Sequence, residues 1–234
     1  MGHLLHDLRW PDVLPLLEAG ATAVLPVGSA AKEHGPHLPM RTDYLTAEAL
    51  GRRLAKIADV LVWPAVGYGH YPAFRAYPGS TSVPEEAFES TIFALVEDLR
   101  RPCGSKVLVL NTGISTIRAI DSACSTFVGA SGCHVYRGAR YSSACAERLE
   151  QPRGGHGDEA ETSVMLHLHP ELVDMTKAPT WTREVRPGAW SPTDESSESY
   201  SPSGIYGDAS LATAEKGAAL VDAMLEDLVA ALAG

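Results

Sequence analysis

The feature that most constrains the fold is a set of short, nearly unbroken apolar runs, each followed by a polar loop and then by a stretch of helical periodicity. "ATAVLPVGS" (residues 21–29), "DVLVWPAVGYG" (59–69), "SKVLVLNTG" (105–113) and "CHVYRGA" (133–139) are runs of this kind. A strand without polar alternation has both faces buried, as in a parallel sheet covered by helices. The helical stretches lie between and after the runs. A short one spans 10–20, with Pro near its start and Gly at its end. "YLTAEALGRRLAKIA" (44–58) puts Leu45, Ala49, Leu50, Leu54 and Ile57 on one face, and Asp43 or Thr42 is placed to cap it. Residues 84–102 begin with Pro84, Glu85 and Glu86, where the helix dipole favours acids. Further helices are expected in 114–132, from Glu159 onward, and in the C-terminal stretch 212–234. The pattern predicts an α/β fold, a three-layer sandwich with a mostly parallel central sheet, as one domain over 1–234. In such sheets, sites form where loops leave the carboxyl ends of strands. The loops around Lys32 and Asn111 both lie there and can meet in space.

A formal net charge of −10 argues against a nucleic-acid backbone or an anionic membrane as partner, since both call for a basic face. No apolar run reaches the roughly 18 residues of a membrane span, and the opening residues lack the apolar core of a signal peptide. Cys103, Cys124, Cys133 and Cys145 form no CxxC pair, so reduced thiols in a cytoplasmic protein are expected. "SPTDESSESYSPSG" (191–204) is polar and of low complexity, the composition of a mobile loop within the domain. Trp181 and Trp190 flank it, as a lid edge or as ordinary packing.

Two clusters carry chemistry. "GSAAKEHGPHLPMRTDY" (28–44) holds Lys32, Glu33, His34, His37 and Asp43. Imidazole and carboxylate suit zinc, manganese or iron, although polar groups in such a loop also cap helices. The second cluster is His156, Asp158, Glu159 and Glu161, with glycine on both sides of His156. A histidine beside carboxylates is a natural general acid/base; acids at a helix start equally serve its dipole. The loop "GYGHYPAFRAYPGS" (67–80) offers Tyr71, Phe74 and Tyr77 as a pocket wall or as surface packing. His167 and His169 read as structural, and His3 and His6 have no assigned role.

Taken together, these motifs resemble the creatininase family of creatinine amidohydrolase-like, metal-dependent hydrolases. "LPVGSAAKEHGPHLPMRTD" resembles its signature and "YPGSTS" its Tyr-Pro-Gly-Thr segment; "KVLVLNTG" stands where the family has Asn-Gly-His. "GGHGDEAETSVMLHLHPELV" resembles its His-Ala-Gly-Glu-x-Glu-Thr-Ser block, and "GIYGDASLATAEKG" its Gly-x-x-Gly-Asp segment. The resemblance implies a homo-oligomeric α/β enzyme that opens a C–N bond of a small molecule or short peptide with water bound to a pair of divalent metals. His34 matches the family's metal histidine and Asp43 its bridging aspartate. Lys32 replaces the glutamate of Glu-x-His, Gly113 replaces the histidine of Asn-Gly-His, and Ser115 takes the place of a further glutamate found in creatininase. Both main losses fall on one metal, so Lys32 is expected to occupy the place of that ion and pair with Asp43. At about 4 Å such a pair is worth roughly 4 kcal/mol before desolvation, at an effective dielectric near 20.

The expectation is then one divalent metal (zinc, manganese or iron) or none, held by His34 and Asp43 with Glu159 or Glu161, or by Glu33 if the loop is shifted. His156 shuttles protons, Glu161 orients it, and Lys32 stabilises the oxyanion. Tyr77, Ser80 and Phe74 contact the small-molecule substrate. Two other readings stand beside this one: Lys32 acting without metal as a base or Schiff-base nucleophile on a lactone or diketone, and a non-catalytic ligand-binding relative.

Overall fold

The computed structural model describes residues 1–101, 106–127, 133–137, 146–184 and 194–233. In it the four apolar runs become strands of one sheet. β1 (His3–Leu4), β2 (Thr22–Val27), β3 (Val60–Val62), β4 (Val107–Asn111) and β5 (Cys133–Tyr136) lie in the order β1-β3-β2-β4-β5. Every neighbouring pair is parallel. The helices are α1 (Trp10–Glu18), α2 (Thr42–Ile57), α3 (Glu85–Arg100), α4 (Ile117–Cys124), α5 (Glu159–Leu168) and α6 (Ala214–Ala233).

Successive strand residues point to opposite faces, and both faces are apolar. Val24, Val60, Val62, Leu108 and Leu110 pack against α2, α5 and α6 through Leu50, Leu54, Val164, Leu220 and Met224. Ala23, Leu25, Val27, Val107 and Val109 pack against α3 and α4 through Phe88, Ile92, Val96, Ala119 and Ile120. The result is the expected three layers, helix–sheet–helix.

Three features depart from the sequence reading. The N-terminal segment supplies β1, an edge strand beside β3; two residues are too few to carry a periodic signal. A second, antiparallel sheet pairs β6 (Thr180–Trp181) with β7 (Gly207–Asp208), and an isolated bridge joins His156 to Tyr206. Neither Asp43 nor Thr42 caps α2: Arg41 stands at the N-cap, Thr42 Oγ1 donates to Pro39 O at 2.7 Å, and Asp43 is turned inward. Of the polar stretch 191–204, Asp194, Glu195, Ser196, Glu198 and Pro202 are exposed. Residues 191–193 lie outside the described residues, while 194–204 run in turns with Ser199 and Ser201 buried.

Trp181 meets Tyr206 edge-on with centroids 5.7 Å apart; Trp190, Cys103 and Cys145 lie outside the described residues. Cys124 and Cys133 are buried free thiols. No helix among the described residues is long and apolar enough to cross a membrane.

Candidate active site

The central strands β2 and β4 run side by side, with Val27 paired to Asn111. Their loops therefore leave the sheet together. The 28–43 loop folds back so tightly that a Cβ at Gly28 would stand 2.3 Å from Asp43 O. Thr112 Oγ1 donates to that same carbonyl at 2.8 Å. Asn111, fully buried, shapes its own loop: Nδ2 donates to Gly113 O at 2.7 Å, and Oδ1 accepts from Thr116 Oγ1 at 2.9 Å.

This scaffold brings Lys32, His34 and Asp43 together in the interior. Lys32 Nζ lies 2.7 Å from Asp43 Oδ2. His34 donates from Nδ1 to Lys32 O at 2.9 Å, and its Nε2 lies 3.0 Å from Asp43 Oδ1. Neither His34 Nε2 nor Asp43 Oδ2 makes a well-aligned hydrogen bond. Burial by itself would raise the Asp43 carboxyl; the positive fields of Lys32 and His34 outweigh it and hold it far below the ordinary aspartate range.

His156 arrives from the other side, on the turn into α5. Asp158 starts that helix by accepting from Ala160 N and Glu161 N at 3.0 and 3.1 Å. Gly157 has φ +54, and a Cβ there would press on Ile205 and on His34 O at 2.7 and 2.9 Å. Only glycine lets the two histidine segments approach so closely. The His156 ring sits between carboxylates: Nε2 lies 3.1 Å from Glu33 Oε2, and Nδ1 lies 3.8 Å from Glu161 Oε2. Glu161 Oε2 also accepts Gly157 N–H at 2.7 Å. Phe74 and His34 pack on the ring with centroids 4.4 and 4.8 Å away.

Burial lowers the His156 imidazole, more than the Glu33 hydrogen bond raises it. Burial pushes Glu33 up, but the His156 hydrogen bond and field and the Gly35 amide prevail and hold it below the usual glutamate value.

Lys32, Phe74, His156 and Glu161 line one cavity of about 340 Å³, together with Ser115 and Tyr206. Tyr77 and Ser80, expected at the substrate, are not among the residues that line it. Tyr77 Oη donates to Ser201 O at 3.2 Å, and Ser80 Oγ accepts Glu33 N–H at 3.0 Å. Glu159, expected as a metal ligand, faces away from the cluster. Its carboxylate accepts from Glu150 N and Gln151 N, and Lys216 Nζ lies 2.6 Å away. His37 is buried behind the loop, with Nε2 2.7 Å from Thr162 Oγ1. Burial and the neighbouring His34 push its pKa down to about 4.

Glu33 is the member that sequence reasoning underrated. Its one signal is its position in a chain of polar residues, next to a lysine that demands compensation.

The dinuclear ligand set implied by the resemblance does not fit this chain. An ammonium stands at Asp43 Oδ2, and Gly113, whose Cβ would lie 3.3 Å from that oxygen, offers no ligand. Ligand-type atoms of His34, His156 and Glu161 do converge, all within 4.8 Å of one another.

Compared with known proteins, the sequence matches the model of a family described as creatinine amidohydrolase over residues 6–232. The chain belongs to the creatininase family. Creatinine amidohydrolase of Pseudomonas putida is 29% identical over 194 residues, covering 73% of this chain and 74% of that one. The mycofactocin precursor peptide peptidase of Mycobacterium ulcerans (strain Agy99) is 29% identical over 242 residues, covering 96% of this chain and 85% of that one. Among solved structures, a creatininase variant of Zn–Zn type superposes with a TM-score of 0.84 at 22% identity, covering 99% of this chain and 97% of that one. The creatininase fold is thus established, and membership of the family makes the chain a hydrolase of the amidohydrolase class.

Proposed function

We propose that this creatininase-family hydrolase cleaves an amide-type C–N bond of a small molecule bound in the cavity beside Lys32, and that the Lys32 ammonium stands where relatives carry one of two metal ions. The observation that carries this reading is the buried 2.7 Å contact of Lys32 Nζ with Asp43 Oδ2. The two relatives are named for a creatinine and for a peptide, and both substrates contain amide-type C–N bonds. A cavity of about 340 Å³ suits a small molecule or the end of a short peptide.

The chain's own groups divide the work. Asp43 holds Lys32 in place. From there the ammonium faces the cavity and stabilises negative charge that develops on the carbonyl oxygen as the bond is attacked. His156 and Glu161 hold the attacking water at the cavity wall, and Glu33 fixes the imidazole from behind. A divalent metal such as zinc, manganese or iron, when bound, supplies Lewis-acid activation of water; with Lys32 on Asp43, the ligands suffice for one ion. The alternative in which Lys32 acts as base or Schiff-base nucleophile is disfavoured by the same contact, which commits the amine to the Asp43 carboxylate.

A panel of cyclic amides and short peptides, assayed with elemental analysis of the purified protein, tests the proposal. Hydrolysis of a panel member with at most one metal per chain is expected. Lys32→Met should lower kcat by about 100- to 1,000-fold, as loss of an oxyanion donor does. Two tightly bound metal equivalents, or full activity in Lys32→Met, would sink it.

A further inference from the structure

A second cavity, of about 60 Å³, adjoins the one beside Lys32. Ile114 and Glu161 line both, so the two share a wall. Its apolar surface comes from Ile114 in the loop after β4, Ala160 and Val164 on α5, and Met224 on α6. Three threonines also line it, but each hydroxyl is spent on a backbone carbonyl: Thr42 on Pro39 O at 2.7 Å, Thr46 on Thr42 O at 3.0 Å and Thr112 on Asp43 O at 2.8 Å. What they have left to offer is methyl groups. The charged lining residues are committed as well. Asp43 is held by Lys32 and His34, and Glu161 accepts Gly157 N–H. Arg137 donates to both carboxylate oxygens of Asp121, at 3.2 and 2.7 Å. Protein interiors normally fill apolar spaces of this kind with their own side chains, and an apolar lining holds water poorly. Left open against an active-site wall, the space suits an apolar part of the substrate.

We propose that this cavity is a specificity pocket, which receives a short apolar substituent carried by the substrate next to the scissile C–N bond. By proportion with the roughly 150 Å³ that accept a benzene ring, the space takes about two or three carbon atoms. The substrates expected are amides or peptide ends that bear an ethyl-, propyl- or isopropyl-sized group. A charged or hydrogen-bonding substituent meets no uncommitted partner among the described lining residues, and it would give up its water without compensation. A bulky ring would collide with Val164 and Met224, which are buried and packed against Leu220 and Leu228 in the core. The substituent passes Ile114, the half-buried apolar member of the shared wall. Ala160 sets the room available, because it is the smallest side chain of the lining, and a longer residue there fills the space.

The proposal rests on the hydrolase reading for the use of the pocket, but occupancy is measured by binding alone, so the two fail separately. The probes are two homologous series, straight-chain carboxamides from acetamide to hexanamide and N-alkylacetamides from methyl to pentyl. Affinities are read from the methyl resonances of Ile114, Val164 and Met224 as each probe is titrated into the full-length protein. In at least one series the affinity should rise about fourfold per methylene over the first two or three carbons and then level off. Ala160→Leu, which keeps a good helix former in α5, should abolish the rise. Val164→Ala should extend it to longer chains, and this variant decides the matter if the first fails to fold. β-Alaninamide, which matches butyramide in size but ends in an ammonium, should bind more weakly than butyramide. Affinities that ignore chain length in both series, or that climb equally in Ala160→Leu, overturn the proposal. Tighter binding of β-alaninamide assigns the pocket to a cation and overturns it too. Chain-length-dependent binding with no hydrolysis of any amide would uphold the pocket and count against the hydrolase reading instead.

Discussion

Lysine is rarely buried, because an ammonium out of water needs a partner and hydrogen bonds. Lys32 is 3% exposed, and its partner Asp43 is equally enclosed. Removing one member of such a pair leaves the other as an uncompensated charge. Lys32→Met should therefore destabilise the fold by about 3–5 kcal/mol, while Lys32→Met/Asp43→Asn should regain most of that loss; urea unfolding of the three proteins measures both. On the proposed reading, in which Lys32 stands where relatives carry an ion, the lost site can be rebuilt. Gly113 lies where a side chain would stand beside Asp43 Oδ2, so Lys32→Glu/Gly113→His rebuilds the missing ligands on either side of that oxygen. One additional equivalent of bound zinc is expected by elemental analysis, and unchanged metal content would show that the substitutions do not account for the lost site.

At the scale of elements, the site depends on how α5 is started and how it is packed. Asp158 caps the helix that carries Glu161 and follows directly on His156. Asp158→Ala should cost about 1 kcal/mol in stability, and the cost in turnover should be larger than that in substrate binding, because the cap aims Glu161. Comparing kcat with KM in the variant separates the two. Glu159 illustrates why an acid near a helix start is ambiguous in sequence. The motif places it beside the site, but the helix turns it toward Lys216 on α6.

The contact between these two helices is close: a Cβ at Gly217 would fall 1.8 Å from Ser163 O. Gly217→Ala must push α6 off α5, and a loss of about 3 kcal/mol or more is expected in thermal or urea unfolding.

For the whole molecule, buried histidines set the response to acid. His37 titrates near 4 in the folded protein rather than at 6.5, and His156 is lowered in the same direction. Between those values the unfolded chain binds protons that the folded chain refuses, so stability falls as pH drops from about 6.5, with a slope of up to roughly 1.4 kcal/mol per pH unit for each histidine. Asp43 and Glu33, depressed when folded, contribute stability above the ordinary carboxylate pKa that is lost on further acidification. Unfolding free energies across pH 4–8 should trace this decline, and His37→Gln should flatten its upper part.

The apolar runs and the amphipathic stretches determined the sheet, its parallel strands and the helices on both faces, because burial on two sides of a strand and on one side of a helix is written in local periodicity. The order of motifs, with lysine and glycine at two ligand positions of one metal, likewise pointed to a modified centre. The pairing of Glu33 with His156 joins residues 123 positions apart, and no local pattern encodes which carboxylate a distant imidazole will meet. The same holds for the direction of Glu159, the partners of Tyr77 and Ser80 in Ser201 and Glu33, and the inward turn of Asp43 away from capping. Those were decided only by packing, which brought two loops against one glycine turn and left each polar side chain the partner nearest to hand.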